Sequence, residues 1–95
     1  MPETYIILIN PKDIKPSRSE EQLRQSEVNN GETGRLDRVI NSIKENGFDP
    51  LNPIEVNYSS SGKIELTQGN RRLFGAIFTC LKLVPVKVTD YRTKI

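Results

Sequence analysis

Apolar and polar residues alternate along this chain in two rhythms, and each rhythm predicts a different kind of secondary structure. Between residues 36 and 47 the apolar side chains recur at i, i+3, i+4 and i+7, which places them on one face of a helix: Leu36, Val39, Ile40 and Ile43. Thr33 or Gly34 can begin this helix, and Gly47 is a natural terminator. The pattern therefore predicts an amphipathic helix over this segment.

Four other segments have the composition of β-strands. Ile54–Tyr58 and Lys63–Thr67 alternate apolar and polar residues, and the Ser-Ser-Ser-Gly between them is typical of a hairpin turn. A last strand is predicted near Val84–Thr89, with Pro85 at its start, where a missing N–H is tolerated. The segment Thr4–Ile9 is apolar on both faces, so we predict that it is a central strand of the sheet.

A second long helix is predicted over Asn70–Leu81. One stripe of this helix is apolar, and further apolar residues lie beside it: Leu73, Ala76, Ile77 and Cys80, then Phe74, Phe78 and Leu81. A helix that is apolar over so much of its circumference packs between other elements. On this basis we expect Cys80 to be a core residue rather than a nucleophile.

The polar segment 17–34 is the least regular part of the sequence. Its sizeable apolar residues are Leu23 and Val28. Ser19 and Gln22 have the spacing of a capping box, which predicts a short helix across 20–28. The alternatives are a mobile loop or a lid over a neighbouring site.

Together these elements predict one small α+β domain over residues 1–95, with a mixed sheet of about four strands, two main helices and a variable insert at 17–34. The sequence has no histidine, which excludes imidazole catalysis and histidine-bound zinc, and its one cysteine cannot form an internal disulfide. We expect no structural metal. No apolar run approaches the roughly 20 residues that span a bilayer, and the N-terminus lacks the pattern of a signal peptide. We therefore expect a cytoplasmic protein without a membrane partner.

The net charge of +2 conceals an asymmetry. Residues 1–61 carry a net charge of −3, whereas residues 62–95 carry +5. The basic residues of this last third are Lys63, Arg71, Arg72, Lys82, Lys87, Arg92 and Lys94. Such a region suits an anionic partner such as DNA or a nucleotide, although a solvated face is the alternative.

Two adjacent arginines open the second long helix, directly after Gly69 and Asn70. A helix N-terminus exposes unpaired N–H groups and a partial positive charge, so Arg71 and Arg72 oppose the helix dipole there. Glycine lets an anion approach the backbone, and guanidinium groups bind phosphate in bidentate fashion. The pattern therefore indicates a phosphate site, with two solvated arginines as the alternative.

Two stretches resemble the N-terminal domain of ParB-type partition proteins: SIKENGFDPLNPIEV and KIELTQGNRRLFGAIFTCLKLVPVKV. In that family a helix ending in I-x-x-x-G precedes a P-I-x-V strand. A strand-turn-helix with G-x-R-R follows, and then a G-L-x-x-x-P-V segment that leads into the last strand. The similarity spans residues 36–89, and DIKPSR resembles the extended box before the family's first long helix. The resemblance implies a ParB/sulfiredoxin-like fold.

Proteins of this superfamily bind nucleoside triphosphates, so the resemblance implies CTP or ATP as a ligand, bound with or without Mg²⁺. It places the phosphates at the start of the second long helix. The candidate ligands are Gln68, Gly69, Asn70, Arg71, Arg72 and, by the same match, Arg18.

The sequence also departs from its relatives. Sulfiredoxins have Gly-Cys-His-Arg in this box, and partition proteins mostly have Gly-Glu-Arg-Arg, whereas this chain has Gly69, Asn70 and two arginines. Sulfiredoxin activity is therefore not expected. An amide at position 70 can form hydrogen bonds but cannot act as a base or an anionic metal ligand, which favours binding over hydrolysis. Within these 95 residues we expect neither the helix-turn-helix and dimerisation domains of partition proteins nor the helical motif that completes their nucleotide pocket.

Three functions are compatible with these features. The first is a nucleotide-binding module in the DNA transactions of a plasmid, virus or mobile element. The second is a metal-dependent, ParB-like nuclease of the kind found in toxin domains, which would need carboxylates such as Asp13, Glu65 or Asp90 near the phosphate. The third is a non-catalytic adaptor for DNA or protein. The sequence leaves open nucleotide hydrolysis and whether the protein is a homodimer.

Overall fold

The elements follow one another in the predicted order. The computed structural model describes residues 2–92, so Lys94 of the basic last third lies outside the described range. The strands and helices are β1 (Glu3–Ile9), α1 (Glu20–Asn29), α2 (Arg35–Asn46), β2 (Ile54–Tyr58), β3 (Ile64–Gln68), α3 (Asn70–Phe78) and β4 (Val84–Asp90). A short 3-10 helix, Pro11–Asp13, follows β1.

The strands form one four-stranded mixed sheet in the order β1-β4-β2-β3. The β1–β4 and β2–β3 pairs are antiparallel, whereas β2 and β4 are parallel. The predicted α+β class and mixed sheet are therefore confirmed. A parallel pair needs a crossover connection, which β3 and α3 provide here.

The predicted position of the first strand is wrong, because β1 is an edge strand. Within residues 2–92, β4 alone pairs with it, and Ile6 and Leu8 on its outer face are 60% and 63% exposed. The two central strands are β4 and β2, and Val86 and Val88 of β4 are almost fully buried. A strand's own composition reports that it is apolar, but its position in the sheet depends on which strands pair with it.

The core lies between the sheet and α3. Leu73 and Ala76 of α3 are fully buried against strand residues such as Val56. On another side of α3, a Cβ added to Gly75 would lie 2.6 Å from Cδ1 of Ile43 in α2. The helix is therefore enclosed between the sheet and α2, as its broad apolar surface predicted.

The end of α3 corrects the prediction for Cys80. The helix ends at Phe78, and Cys80 has a left-handed backbone with φ of 60°. The N–H of Cys80 donates to the Ile77 carbonyl and that of Leu81 to the Ala76 carbonyl, which is a Schellman motif. Because the chain turns here, Cys80 leaves the apolar stripe and is exposed.

The polar insert contains a regular helix. The hydroxyl of Ser19 accepts a hydrogen bond from the N–H of Gln22, whose side chain accepts one from the N–H of Ser19 in return. This capping box begins α1, so the short-helix prediction is confirmed. Leu23 is fully buried and ties α1 to the domain. None of the helices within residues 2–92 has the length and apolar character needed to cross a membrane.

Candidate phosphate-binding site

The start of α3 carries unpaired backbone donors. Gly69 immediately precedes the helix with φ of 104° and ψ of 32°, a left-handed conformation that favours glycine. Glycine has no side chain to cap the helix, and the first turn contains no acidic residue. The N–H groups of this turn therefore keep their partial positive charge available for an anion.

Gly69 also has a steric role at this turn. A Cβ added here would lie 3.4 Å from the Ile54 Cα and 3.2 Å from a terminal nitrogen of Arg72. The Arg72 side chain therefore folds back over the turn itself. A larger residue at position 69 would be strained by its φ and would press on this guanidinium.

A cleft of ≈ 380 Å³ opens at this helix start. It is lined by Arg18, Arg35, Val39, Thr67, Gln68, Gly69, Asn70, Arg71 and Arg72. The structure thus brings all the predicted site residues together and adds three that the sequence analysis did not identify. The volume lies within the roughly 300–1,000 Å³ of small-molecule pockets. Four arginines line the cleft; Arg71 and Arg35 pair with Glu27 and Glu32, whereas Arg18 and Arg72 have no carboxylate partner within residues 2–92 and make the cleft cationic.

Asn70 fixes the chain that carries Arg18. Its side-chain oxygen accepts a hydrogen bond of 3.1 Å from the N–H of Ser17, whose hydroxyl donates to the Leu66 carbonyl at 2.9 Å. The segment before α1 is thereby attached both to β3 and to the first turn of α3. This attachment explains how Arg18, exposed and 51 positions before Gly69, reaches the same cleft.

Arg71 forms a buried ion pair that the sequence analysis did not predict. Its Nε donates to Oε2 of Glu27 in α1 at 2.8 Å, and the same oxygen accepts from the N–H of Leu36 at 2.9 Å. Glu27 is only 2% exposed. Burial raises the pKa of its carboxyl, but the hydrogen bonds from Arg71 and Leu36 outweigh it and hold the pKa below its ordinary value.

No sequence signal marks Glu27 as special. It lies in a polar helix among other charged residues, at a position that would suit a solvated side chain. The one hint is that α2 begins after Gly34, which has no side chain to cap the helix. An acceptor for the N–H groups of its first turn could therefore come only from another part of the molecule or from solvent.

Arg72 differs from its neighbour. Within residues 2–92, its Nε is the one buried side-chain nitrogen or oxygen without a hydrogen-bond partner. A buried N–H left without an acceptor costs about 1–3 kcal/mol. An acceptor would have to come from a water molecule or a ligand that displaces the atoms now covering this nitrogen.

The candidate nuclease carboxylates do not line the cleft. Glu65 lines a separate groove with Lys15 and Lys63. Asp90 pairs with Tyr58 at the end of β2, whereas the cleft lies near the start of β2, where Gln68 pairs with Glu55. In the described part of the chain, no three His, Cys, Asp or Glu residues are grouped so that they could hold a metal ion.

Comparison with known proteins agrees with this architecture. No family model and no curated protein matches the chain. The C-terminally truncated chromosome-partitioning protein ParB from Caulobacter crescentus, complexed with CTP-gamma-S, matches with a TM-score of 0.60 and 26% identity over 90% of this chain. Sulfiredoxin from Arabidopsis thaliana matches with a TM-score of 0.62 and 18% identity, also over 90%.

The two matched proteins differ in how much of their length this chain covers. It spans 85% of the sulfiredoxin chain but only 44% of the ParB chain. Both matches agree with the ParB/sulfiredoxin-like α+β fold that the sequence resemblance implied. The chain therefore has the ParB/sulfiredoxin-like fold.

Proposed function

We propose that this protein binds a nucleoside triphosphate, with the phosphates at the N-terminus of α3. The observation that carries the proposal is the cleft itself, in which an uncapped helix start and four arginines converge. The buried Nε of Arg72 adds a donor that has no partner within residues 2–92. A triphosphate provides the negative charge and the several acceptors that these groups need.

The ParB structure supports the choice of ligand. That protein is complexed with CTP-gamma-S, and this chain aligns with it over 90% of its length. CTP is therefore the first nucleotide to test, with ATP as the alternative. The cleft residues include no carboxylate, so they do not fit a magnesium ion held by the protein. Any Mg²⁺ would be held by the triphosphate itself.

The cellular role that we propose is in DNA transactions, as in the partitioning protein with this fold. The basic residues of the last third fit contact with DNA. We do not propose a nuclease, because Asp13, Glu65 and Asp90 do not line the cleft.

Titration calorimetry with CTP, ATP and GTP, each with and without Mg²⁺, tests the proposal. Arg72→Ala should weaken triphosphate binding by tenfold or more, because a charged hydrogen bond is worth about 1.5–3 kcal/mol. The matched control is Arg38→Ala, which also removes an arginine from the beginning of a helix but outside the cleft. The proposal is wrong if no triphosphate binds the wild-type protein, or if both variants lose the same affinity.

A further inference from the structure

One buried carboxylate connects the helices around the cleft. Oε2 of Glu27, in α1, accepts hydrogen bonds from Nε of Arg71 in α3 and from the N–H of Leu36 in α2. We propose that Glu27 is a positioning residue of the phosphate site, which fixes the guanidinium of Arg71 so that its terminal nitrogens serve the ligand. This inference rests on the proposed function.

The contact with Glu27 leaves the terminal nitrogens of Arg71 without a partner among residues 2–92. A guanidinium has five N–H donors, and bidentate recognition of phosphate uses two parallel ones. Glu27 engages Nε at 2.8 Å, and no other hydrogen bond of the Arg71 guanidinium is formed within residues 2–92. The side chain of Arg71 is 18% exposed and lines the cleft, so its remaining donors are available there.

Fixing Arg71 in advance reduces the entropic cost of binding. An unrestrained arginine loses rotamer entropy when it is immobilised, and a side chain already held in place loses less on binding. Glu27 is itself held, because it is 2% exposed and accepts a second hydrogen bond from the backbone of α2. Its position therefore does not depend on the ligand.

The same carboxylate also orders the other wall of the cleft. Gly34 provides no side-chain cap for α2, and Glu27 satisfies the N–H of Leu36 in its first turn. The neighbouring Arg35 and, one turn later, Val39 line the cleft. The polar helix α1 thus contributes to the site through a residue that does not itself line the cleft.

Two other roles for Glu27 make different predictions. If the residue only stabilises the fold, its removal lowers the melting temperature but leaves the affinity of the folded protein unchanged. If its negative charge mainly repels the phosphates, its removal tightens binding. A positioning role predicts weaker binding, and only while Arg71 is present.

A double-mutant cycle with CTP as the probe tests the inference, measured by calorimetry at a temperature where circular dichroism shows each variant folded. We expect Glu27→Ala to weaken CTP binding about tenfold, within the 5–150-fold range of coupling between sites. Glu27→Gln, which keeps a hydrogen-bond acceptor, should recover part of that loss. In the Arg71→Ala background, Glu27→Ala should have no further effect. The control is Glu20→Ala, which breaks an ion pair with Arg24 on the same helix.

The Arg71→Lys variant covers the case in which Glu27→Ala does not fold. Lysine keeps the charge but has a single side-chain nitrogen, so it cannot bind Glu27 with one nitrogen and the phosphate with others. We therefore expect Arg71→Lys to lose as much CTP affinity as Arg71→Ala. Three results would each overturn the inference. Folded Glu27→Ala could bind CTP as tightly as the wild type or more tightly, or Glu27→Ala could lose the same CTP affinity with and without Arg71. The third is an Arg71→Lys variant that keeps the full CTP affinity. If the Arg72→Ala effect persists in any of these cases, the phosphate site itself stands. If wild-type protein does not bind CTP or another triphosphate, both proposals fail.

Discussion

Two carboxylate–arginine pairs lie at opposite ends of the domain, one beside the cleft between α1 and α3 and one at the end of β4. The two pairs are built differently. At the cleft end, Glu27 binds Arg71 across 44 positions of sequence through one nitrogen. At the far end, the Asp90 carboxylate accepts hydrogen bonds from Nε and Nη2 of Arg92, two positions away. It also accepts hydrogen bonds from the main-chain N–H of Arg92 and from the Tyr5 hydroxyl.

The remaining contacts of the two arginines widen this difference. The Arg92 guanidinium lies over the ring of Tyr58, 3.4 Å from its centroid, and its side chain is 44% exposed. Arg71 is 18% exposed and faces a cleft with its terminal nitrogens unengaged by residues 2–92. The Asp90–Arg92 pair joins neighbouring residues at the end of β4, whereas the Glu27–Arg71 pair connects three helices and leaves the terminal nitrogens of Arg71 for a ligand. The presence of an ion pair therefore does not show whether its role is structural or functional.

The largest effect is expected from removing the arginine of the cleft-end pair. Arg71→Ala leaves Glu27 buried and unpaired, which should lower the free energy of unfolding by about 3 kcal/mol. Arg92→Ala should lower it less, because Asp90, although only 8% exposed, keeps hydrogen bonds from the main-chain N–H of residue 92 and from the Tyr5 hydroxyl. Urea denaturation followed by circular dichroism measures both. Equal losses in the two variants would remove the distinction between the two ends.

The pH dependence of stability tests the charge of Glu27. Its pKa in the folded protein lies below the ordinary value of roughly 4.3, so the stability it contributes is present above that pH and is lost as the pH falls further. The difference in melting temperature between wild type and Glu27→Gln should thus be constant from pH 7 to about 5 and shrink below about 4. Glu20→Gln, at an exposed ion pair, is the control. A difference that does not change with pH would show that hydrogen bonding, and not charge, matters.

A smaller change in stability is expected for the second arginine of the cleft. Arg72→Ala removes a buried N–H without a partner in residues 2–92, which offsets the packing lost with the side chain. We expect the free energy of unfolding to change by less than about 1 kcal/mol, against about 3 for Arg71→Ala. Parallel urea titrations compare the two. A loss as large as that of Arg71→Ala would mean that Arg72 is a structural residue as well.

The smallest effect concerns the far end alone. The hydrogen bond to Asp90, with burial and the carboxylate charge, raises the pKa of the Tyr5 phenol. Asp90→Asn should lower that pKa towards the ordinary value of about 10, while Asp49→Asn should leave it unchanged. Because the protein has three tyrosines and no tryptophan, tyrosinate absorbance in a Tyr58→Phe, Tyr91→Phe background measures the pKa of Tyr5. No shift in Asp90→Asn would contradict the link between Tyr5 and this pair.

Local features of the sequence were sufficient for much of the fold. The capping box at Ser19 and Gln22, the apolar face of α2 and the hairpin between β2 and β3 all formed as predicted. Each depends on residues within a few positions of one another, where spacing alone fixes which side chains share a face. The start of α3 was predicted for the same reason, and with it most of the candidate site.

The two errors have different causes. The apolar β1 became an edge strand because β4 took the position between it and β2, which depends on distant partners. Cys80 left the core for a local reason, because a Schellman motif ended α3 one turn earlier than its apolar stripe suggested. Side-chain periodicity does not reveal such a turn of the backbone.

Periodicity and backbone preference act over short distances, so the amino-acid order was enough to predict the elements, the α+β class and the turn that places Gly69 before two arginines. The difference between the two arginines depends instead on how the helices pack. Arg71 donates a hydrogen bond to Glu27, which lies 44 positions earlier in α1. The buried Nε of Arg72 has no acceptor within residues 2–92. Burial and pairing depend on what packs around a side chain, and two identical residues side by side in sequence can therefore have different roles.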